Sequence, residues 1–347
     1  MLKSQISMGS EKMSEKIELT SSWLALDEKP LEQQKEETIP TFFSRSTQFH
    51  SLMGETKIDF FFRDMTIDEF RMIMEWCAQE GWNVGRRDTD IYFSATTRKH
   101  VSLVKVDPKN GQEEVIGGLG VVFHGGSFTG AGPMIVKKEF RNMGLGQLLW
   151  KLAVDTISDN PLLMYAVAQQ VPRYSEDGFI PIFKMERWVG RLSSISLDQE
   201  DCEPITLDNL EKVAKYDQEI FSQLRFDLFK KALEFSDIQG FVVIEDTIIR
   251  GFCIIRPCQK GYRIGPVHAD NINIAKKLIK ECSKISRDEQ VVLDMPSINA
   301  LSEDVARFFS LEHDPDSDTI AMKKGKLPVK LARNWNKVFS VFSLEIG

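Results

Sequence analysis

Residues 134–158 read MIVKKEFRNMGLGQLLWKLAVDTIS, and this stretch decides the fold. Met134, Ile135 and Val136 form an apolar run between the turn Gly130-Ala-Gly-Pro133 and the charged Lys137-Lys-Glu139, which predicts a short buried strand. Beyond Gly146, the residues Leu145, Leu148, Leu149, Leu152, Ala153 and Ile157 recur at i, i+3, i+4 and i+7, the spacing of one apolar helix face. Between the two lies Arg141-Asn-Met-Gly144-Leu-Gly146. A strand, a glycine-bearing turn and a helix start make an anion site, because the first-turn N–H groups have no partner inside the helix and the macrodipole adds positive charge. Gly144 and Gly146 remove the side chains that would hold a pyrophosphate away from the backbone.

The pattern is selective. A P-loop needs Gly-Lys-Ser/Thr after its glycines, and this turn has none. The dinucleotide fingerprint needs a third glycine where Leu149 stands. The spacing that fits is Arg-x-x-Gly-x-Gly, and residues 141–146 resemble the pyrophosphate cradle of the GNAT acyltransferases.

A length of 347 residues predicts two domains, since single cores rarely grow past about 250–300 residues. The net charge of −7 argues against a nucleic-acid partner, and no apolar run approaches the roughly 18 residues of a membrane span. The first 22 residues lack the apolar core of a signal peptide, and Cys77, Cys202, Cys253, Cys258 and Cys282 form no C-x-x-C pair. These features lead to the expectation of a cytoplasmic protein with free thiols and no metal.

Residues 1–57 are polar and are expected to be a flexible arm. A strand is predicted at 58–63, then a helix from Thr66, where Thr66-x-x-Glu69 is a capping box and Gly81 a stop. Strands at 100–106 and 115–123 flank the turn Asp107-Pro-Lys-Asn-Gly111, and the second carries Gly117, Gly118 and Gly120, a mark of a bulge or of close approach by a ligand. Strand 162–168, a short helix over 169–177 and strand 184–192 complete the first half. A polar stretch at 193–202 marks the boundary. The second half, 203–347, repeats the order of elements, but its turn His268-Ala-Asp-Asn-Ile272 lacks both glycine and arginine, so a second cradle is not expected there.

The chain as a whole resembles the two-domain GNAT N-acetyltransferases of the YitH/HolE type over residues 58–347. The first half carries the likeness in Glu80-Gly-Trp-Asn-x-Gly85, Arg141 to Gly146 and Ala168-Gln-Gln-x-x-x-Tyr174-x-x-x-Gly-Phe179. The second carries it in Arg256-Pro-Cys, Gly261-Tyr-Arg-Ile-Gly-Pro266, Leu293-Asp-Met-Pro296 and Val341-Phe-Ser-Leu-Glu-Ile-Gly347. Val84 stands where many relatives have proline. The resemblance implies an α/β (α+β) fold of tandem domains, each a mixed, mostly antiparallel sheet flanked by helices. The first domain, 58–192, would be catalytic and the second degenerate. It further implies acyl-CoA, expected to be acetyl-CoA, as co-substrate and an amine as acceptor; two stacked domains with an enclosed pocket favour a small-molecule primary amine, and a protein lysine, or acyl-CoA sensing without chemistry, is the alternative.

The expected cradle is Arg141, Asn142, Met143, Gly144, Leu145, Gly146 and Gln147, and Met134, Ile135 and Val136 would line the pantetheine arm. Tyr174 would protonate the departing thiolate, as a tyrosine at this spacing does in GNAT enzymes. Trp82, Asn83 and His124 are candidates for the acceptor side, with His124 or Glu80 as a possible base.

Overall fold

The computed structural model describes residues 49–53, 56–124, 127–157, 160–192, 202–328, 331 and 334–345. The expected arm lies outside the described residues up to 48, and its last part, 49–57, contains a strand. Strand β1 (Phe49–Met53) pairs antiparallel with β2 (Thr56–Asp64). The predicted capping box is present in helix α1 (Ile67–Gln79): the Glu69 N–H donates to Thr66 Oγ1 at 3.3 Å and the Thr66 N–H to Glu69 Oε2 at 2.9 Å. Helix α2 (Asp88–Ala95) and the short β3 (Thr97–Arg98) follow. Next come β4 (Val101–Val106), β5 (Glu113–His124) and β6 (Phe128–Val136), an antiparallel meander.

Strand β6 corrects the reading of 130–133 as a turn. Those residues lie within the strand because Gly120 and Gly132 let β5 and β6 approach closely, and a Cβ on Gly120 would fall 2.4 Å from the Gly132 carbonyl oxygen. The register shifts between Leu119 and Val121 to accommodate this. Helix α3 (Leu145–Ile157) then buries Leu145, Leu149, Trp150 and Ile157 against Ile116, Leu119 and Val136 of β5 and β6. At about 1.5–3 kcal/mol for each large apolar side chain, that face anchors the turn before it. Strand β7 (Leu162–Val167), helix α4 (Val171–Glu176) and β8 (Ile180–Gly190) end the first half.

The second half runs β9 (Cys202–Pro204), α5 (Leu207–Phe221), α6 (Phe226–Leu233), β10 (Gln239–Glu245), β11 (Ile248–Pro257), β12 (Tyr262–Ala269), α7 (Ile272–Ser286), β13 (Val291–Pro296) and α8 (Ser302–Phe308). Ser222, whose φ is 73°, ends α5 and separates it from α6. Then come β14 (Glu312–His313), β15 (Thr319–Lys324) and β16 (Val338–Ser340).

Two placements in the sheet position everything that follows. First, β15 inserts between β7 and β8, antiparallel to both, while β8 pairs on its other side with β13. The halves therefore interleave, and one hydrogen-bonded sheet of 16 strands runs through the described residues. The expected boundary at 193–202 falls almost wholly outside the described residues. Second, the parallel neighbours β6 and β7 pair only at Thr129–Leu162 and Gly130–Leu163, then diverge into an open V. The corresponding parallel pair in the second half, β12 and β13, also meets only at its start, at Tyr262–Val291 and Arg263–Val292. There the gap is filled: β16 pairs with β12 at Val267 and His268, and the Val341 N–H donates to the Asp294 carbonyl on β13 at 3.1 Å.

Candidate active site

The V between β6 and β7 opens into a cavity of 710 Å³. Its first-half walls are Ala131–Val136 of β6, Met164–Val167 of β7, the turn around Arg141–Gln147, and Tyr174. Its other walls are Asp316–Thr319, Arg263, Leu344 and Glu345 from the second half, with Arg187 of β8.

At the end of β6 the turn is shaped for an anion. Asn142 has φ 64° and Gly144 φ 78°, so successive N–H groups converge. Among the described residues, the N–H groups of Asn142, Met143, Gly144, Leu145 and Gly146 donate to no protein acceptor. Gln147 differs from expectation, since its N–H is already taken by the Gly144 carbonyl at 3.0 Å. Arg141 does not point its charge into free space. Its Nε donates to the Val136 carbonyl at 2.9 Å and its Nη2 to Glu80 Oε1 at 3.0 Å, which ties the turn to the strand and to α1. Lys138 adds a second cation 3.4 Å from Glu80, and these bonds, Arg141's first, hold the Glu80 carboxyl below its usual range. Glu80 is thus committed to an ion pair rather than poised as a base.

Tyr174 is buried, packed edge-on against Trp150 at 4.7 Å and against Phe179, with its ring on the cavity wall. Burial pushes its phenol pKa up, so it stays protonated at neutral pH, the state a proton donor requires.

The cavity therefore gathers Trp82, Met134, Ile135, Val136, Arg141, Asn142, Gly144, Leu145, Gly146, Gln147 and Tyr174. Three expected residues lie elsewhere. The Met143 side chain packs into the core beneath the turn. Asn83 joins the halves, with its Oδ1 accepting from the Lys260 N–H at 2.8 Å and its carbonyl from Arg263 Nη2 at 3.2 Å. His124 is buried between Phe128 at 4.4 Å and Phe221 at 5.1 Å, off the cavity wall. Burial, then the charge of Arg225, lowers its pKa to about 3, so the ring is neutral.

Arg187 of β8 and Arg263 of β12 complete the wall, backed by Asp294 of β13, and were not anticipated as site residues. Asp294 is buried between two arginines: Arg187 donates through Nε at 2.8 Å and Nη2 at 3.1 Å, and Arg263 through Nη1. Burial opposes its ionisation, but Arg187 and Arg263 together hold its carboxyl well below the usual range. Arg187 Nη1 also donates to the Trp82 carbonyl at 3.4 Å, so this cluster fixes the Gly81–Asn83 loop against the cavity. A signal was present in the sequence: Arg263 and Asp294 are charges inside otherwise apolar strand strings, which calls for buried partners.

The start of α7 contrasts with that of α3. There Asn271 Oδ1 accepts from the N–H groups of Asn273 at 3.0 Å and Ile274 at 3.1 Å, so the first-turn donors are capped by the chain itself. With the β12–β13 gap also filled by β16, the full chain titrated with CoA is expected to saturate at one molecule per chain by calorimetry. A stoichiometry near two would show that the capped helix start binds as well.

Comparison with known proteins agrees with this architecture. Residues 213–339 match the model of an acetyltransferase (GNAT) domain. The chain is 26% identical over 290 residues to a holothin acyltransferase of Pseudoalteromonas sp. (strain SANK 73390), covering 81% of this chain and 92% of that protein. Among solved structures, a putative acetyltransferase from Pyrococcus horikoshii superposes with a TM-score of 0.65 at 15% identity, over 83% of this chain and 96% of that one. A tandem GNAT protein from the clavulanic acid biosynthesis pathway gives a TM-score of 0.52 at 11% identity, over 78% of this chain and 99% of that one. The matched domain lies in the half whose helix start is capped, while the free N–H groups lie in the other. Residues 213–339 thus match a GNAT domain, and the described residues have the fold of the tandem GNAT proteins.

Proposed function

We propose that this protein moves an acetyl group from acetyl-CoA to the primary amine of a small molecule by direct attack. The observation that carries this reading is the run of five N–H groups, Asn142 to Gly146, free at the mouth of an open V between parallel strands. They would hold the pyrophosphate, and Gly146 leaves open space above the first helical turn. Strand β6 from Val136 back to Met134 lines the adjoining wall, where its backbone would align the pantetheine arm and the thioester. Tyr174 would give its proton to the departing sulfur. The acceptor would be small, because residues 316–319, 344 and 345 of the second half also wall the cavity. The likeness to a holothin acyltransferase supports acyl transfer as the reaction.

The test is release of CoA thiol from acetyl-CoA against a panel of amines, polyamines, amino acids and lysine peptides. Turnover with small amines and none with peptides is the expected result. Tyr174→Phe keeps the ring and its packing on Trp150 and Phe179, so acetyl-CoA affinity should hardly change. Turnover should fall by about 10²-fold, the lower end for a positioned general acid because a thiolate is already a fair leaving group. Full activity in that variant would return Tyr174 to a packing role.

A further inference from the structure

The acyl-transfer reading leaves one task unassigned: an amine that is protonated in water has to lose a proton before it can attack. The carboxylates on the cavity wall differ sharply in what already holds them. Glu80 is paired with Arg141 and Lys138. Asp318 is paired with His313 at 2.9 Å and Lys184 at 3.5 Å. Asp316 is exposed on a short surface turn. Glu345 is partly buried, lines the cavity, and has no Lys or Arg nitrogen within 4 Å among the described residues.

Its position follows from the filled gap in the second half. Strand β16 continues into residues 341–345, which are held at several points: the Val341 N–H on the Asp294 carbonyl, Arg256 Nη2 on the Phe342 carbonyl at 2.6 Å, and the Glu345 N–H on Ser343 Oγ at 3.3 Å. This segment lies across β6 of the first half. A Cβ on Gly130 would stand 3.3 Å from the Glu345 carbonyl oxygen, and one on Gly132 would stand 3.7 Å from its Cα and 4.0 Å from its Cγ. Along β6 the order is the anion turn beyond Val136, the wall from Val136 to Met134, then Gly132 beneath Glu345. At about 3.3 Å per strand residue, Gly132 lies roughly 13 Å along the strand from Val136, at the end away from the cradle. A donor bound with its pyrophosphate in the cradle and its arm along β6 brings its acyl end toward Glu345.

We propose that Glu345 is the general base that takes the proton from the acceptor's ammonium group. The proposal rests on the acyl-transfer reading. The ammonium gives one proton to the Glu345 carboxylate, which passes it to solvent. The freed lone pair forms the C–N bond to the thioester carbon, the C–S bond breaks, and the sulfur takes the Tyr174 proton. The second proton lost from nitrogen as the amide forms returns to the Tyr174 phenolate. The groups around Glu345 are Arg263 on β12, Asp88 and Tyr92 on α2, Cys77 on α1 and the Ser343 hydroxyl of its own segment, and the neutral His124 ring of β5 approaches the same glycine, its Nε2 3.4 Å from a Cβ on Gly130. Burial raises the carboxyl pKa above its usual value and Arg263 draws it back, which brings a carboxylate base nearer to working pH.

Glu345→Gln keeps the size of the side chain and removes the base. In the full-length protein, with the best amine from the panel, kcat/KM near neutral pH should fall by about 10²-fold while acetyl-CoA affinity and the melting temperature stay unchanged. The acid limb of the wild-type kcat/KM profile should disappear. In its place the variant's rate should climb about tenfold per pH unit toward the pKa of the free amine, which a purely structural role would not produce. Glu345→Asp should keep the acid limb at a reduced rate, and it serves if the glutamine variant does not fold. A glutamine variant with the wild-type rate and profile overturns the assignment and leaves acyl transfer standing, as does an aspartate variant with no loss of rate. A wild-type protein that releases no CoA with any amine overturns both.

Discussion

Gly146→Val is expected to weaken acetyl-CoA binding by about 10³-fold without lowering the melting temperature. The variant adds a branched side chain directly over the anion turn, where a Cβ meets nothing within 4 Å and so strains no protein contact. Gly146 lies in the first turn of α3 with no positive φ, and valine is a slightly better helix former than glycine, so helix propensity does not oppose the change. The effect falls on the ligand. Hydrogen bonds to a charged group are worth about 1.5–3 kcal/mol each, and keeping phosphate oxygens off two of the five donors removes about 3–6 kcal/mol, or roughly 10²–10⁴ in Kd. Gly144 is the poorer site for this test, because its φ of 78° would strain any substituent and confound affinity with folding. Calorimetric titration of the folded variant is the measurement. Wild-type affinity would remove the anion site from this turn.

Asp88→Ala should destabilise the fold by about 3–5 kcal/mol, the usual cost of stranding one member of a buried ion pair. Asp88 is 2% exposed, and its Oδ1 accepts from Arg256 Nε at 2.9 Å, with Arg256 0% exposed. Its Oδ2 accepts from the Gly85 N–H at 2.9 Å, so the substitution also orphans a loop donor. Arg256 in turn donates to the carbonyls of Gly265 at 3.1 Å and Phe342 at 2.6 Å, which ties the first half to the segment bearing Glu345. Thermal unfolding should shift down by roughly 4–8 °C. A shift under about 2 °C would mean that the pair is replaced without cost. The same pair has a pH signature. Burial works to raise the Asp88 pKa, but Arg256 outweighs it and the carboxyl is held below its usual value; Asp217 and Asp294 are lowered in the same way by their arginines. A lowered folded-state pKa contributes stability that is present above the unfolded value, near 3.9, and is lost as pH falls below it. Acid unfolding should therefore begin below about pH 4, and earlier in the Asp88 variant.

Much of the site was legible in local spacing. The apolar face of α3, the capping box at Thr66, the hairpin strands and the order of elements around Arg141–Gly146 are set by neighbours within a few residues, and that is the range over which periodicity and turn chemistry act. The Gly130–Pro133 segment misled because the same residues that make turns also make close strand contacts, and only the partner, here Gly120, distinguishes the two. His124 misled for a related reason: a histidine among glycines is the same string whether it faces a cavity or stacks between Phe128 and Phe221.

What the sequence alone determined, then, is the mixed α/β order of elements in each half, the glycine-bearing turn between β6 and α3, and the placing of Tyr174 one strand and one helix after it. Each of these depends on residues close along the chain. Tertiary structure decided the rest. Strand β15, a short run ending in lysines, lies between β7 and β8 because both offer free edges, and nothing in residues 319–324 names those partners. Whether each V stays open or is filled depends on where β16 pairs, more than 40 residues from the β12–β13 pair it closes and far from the β6–β7 pair it leaves open. The same pairing carries Glu345 across 213 residues of chain to lie over Gly132, a juxtaposition set by hydrogen-bond registry between distant strands rather than by any local pattern.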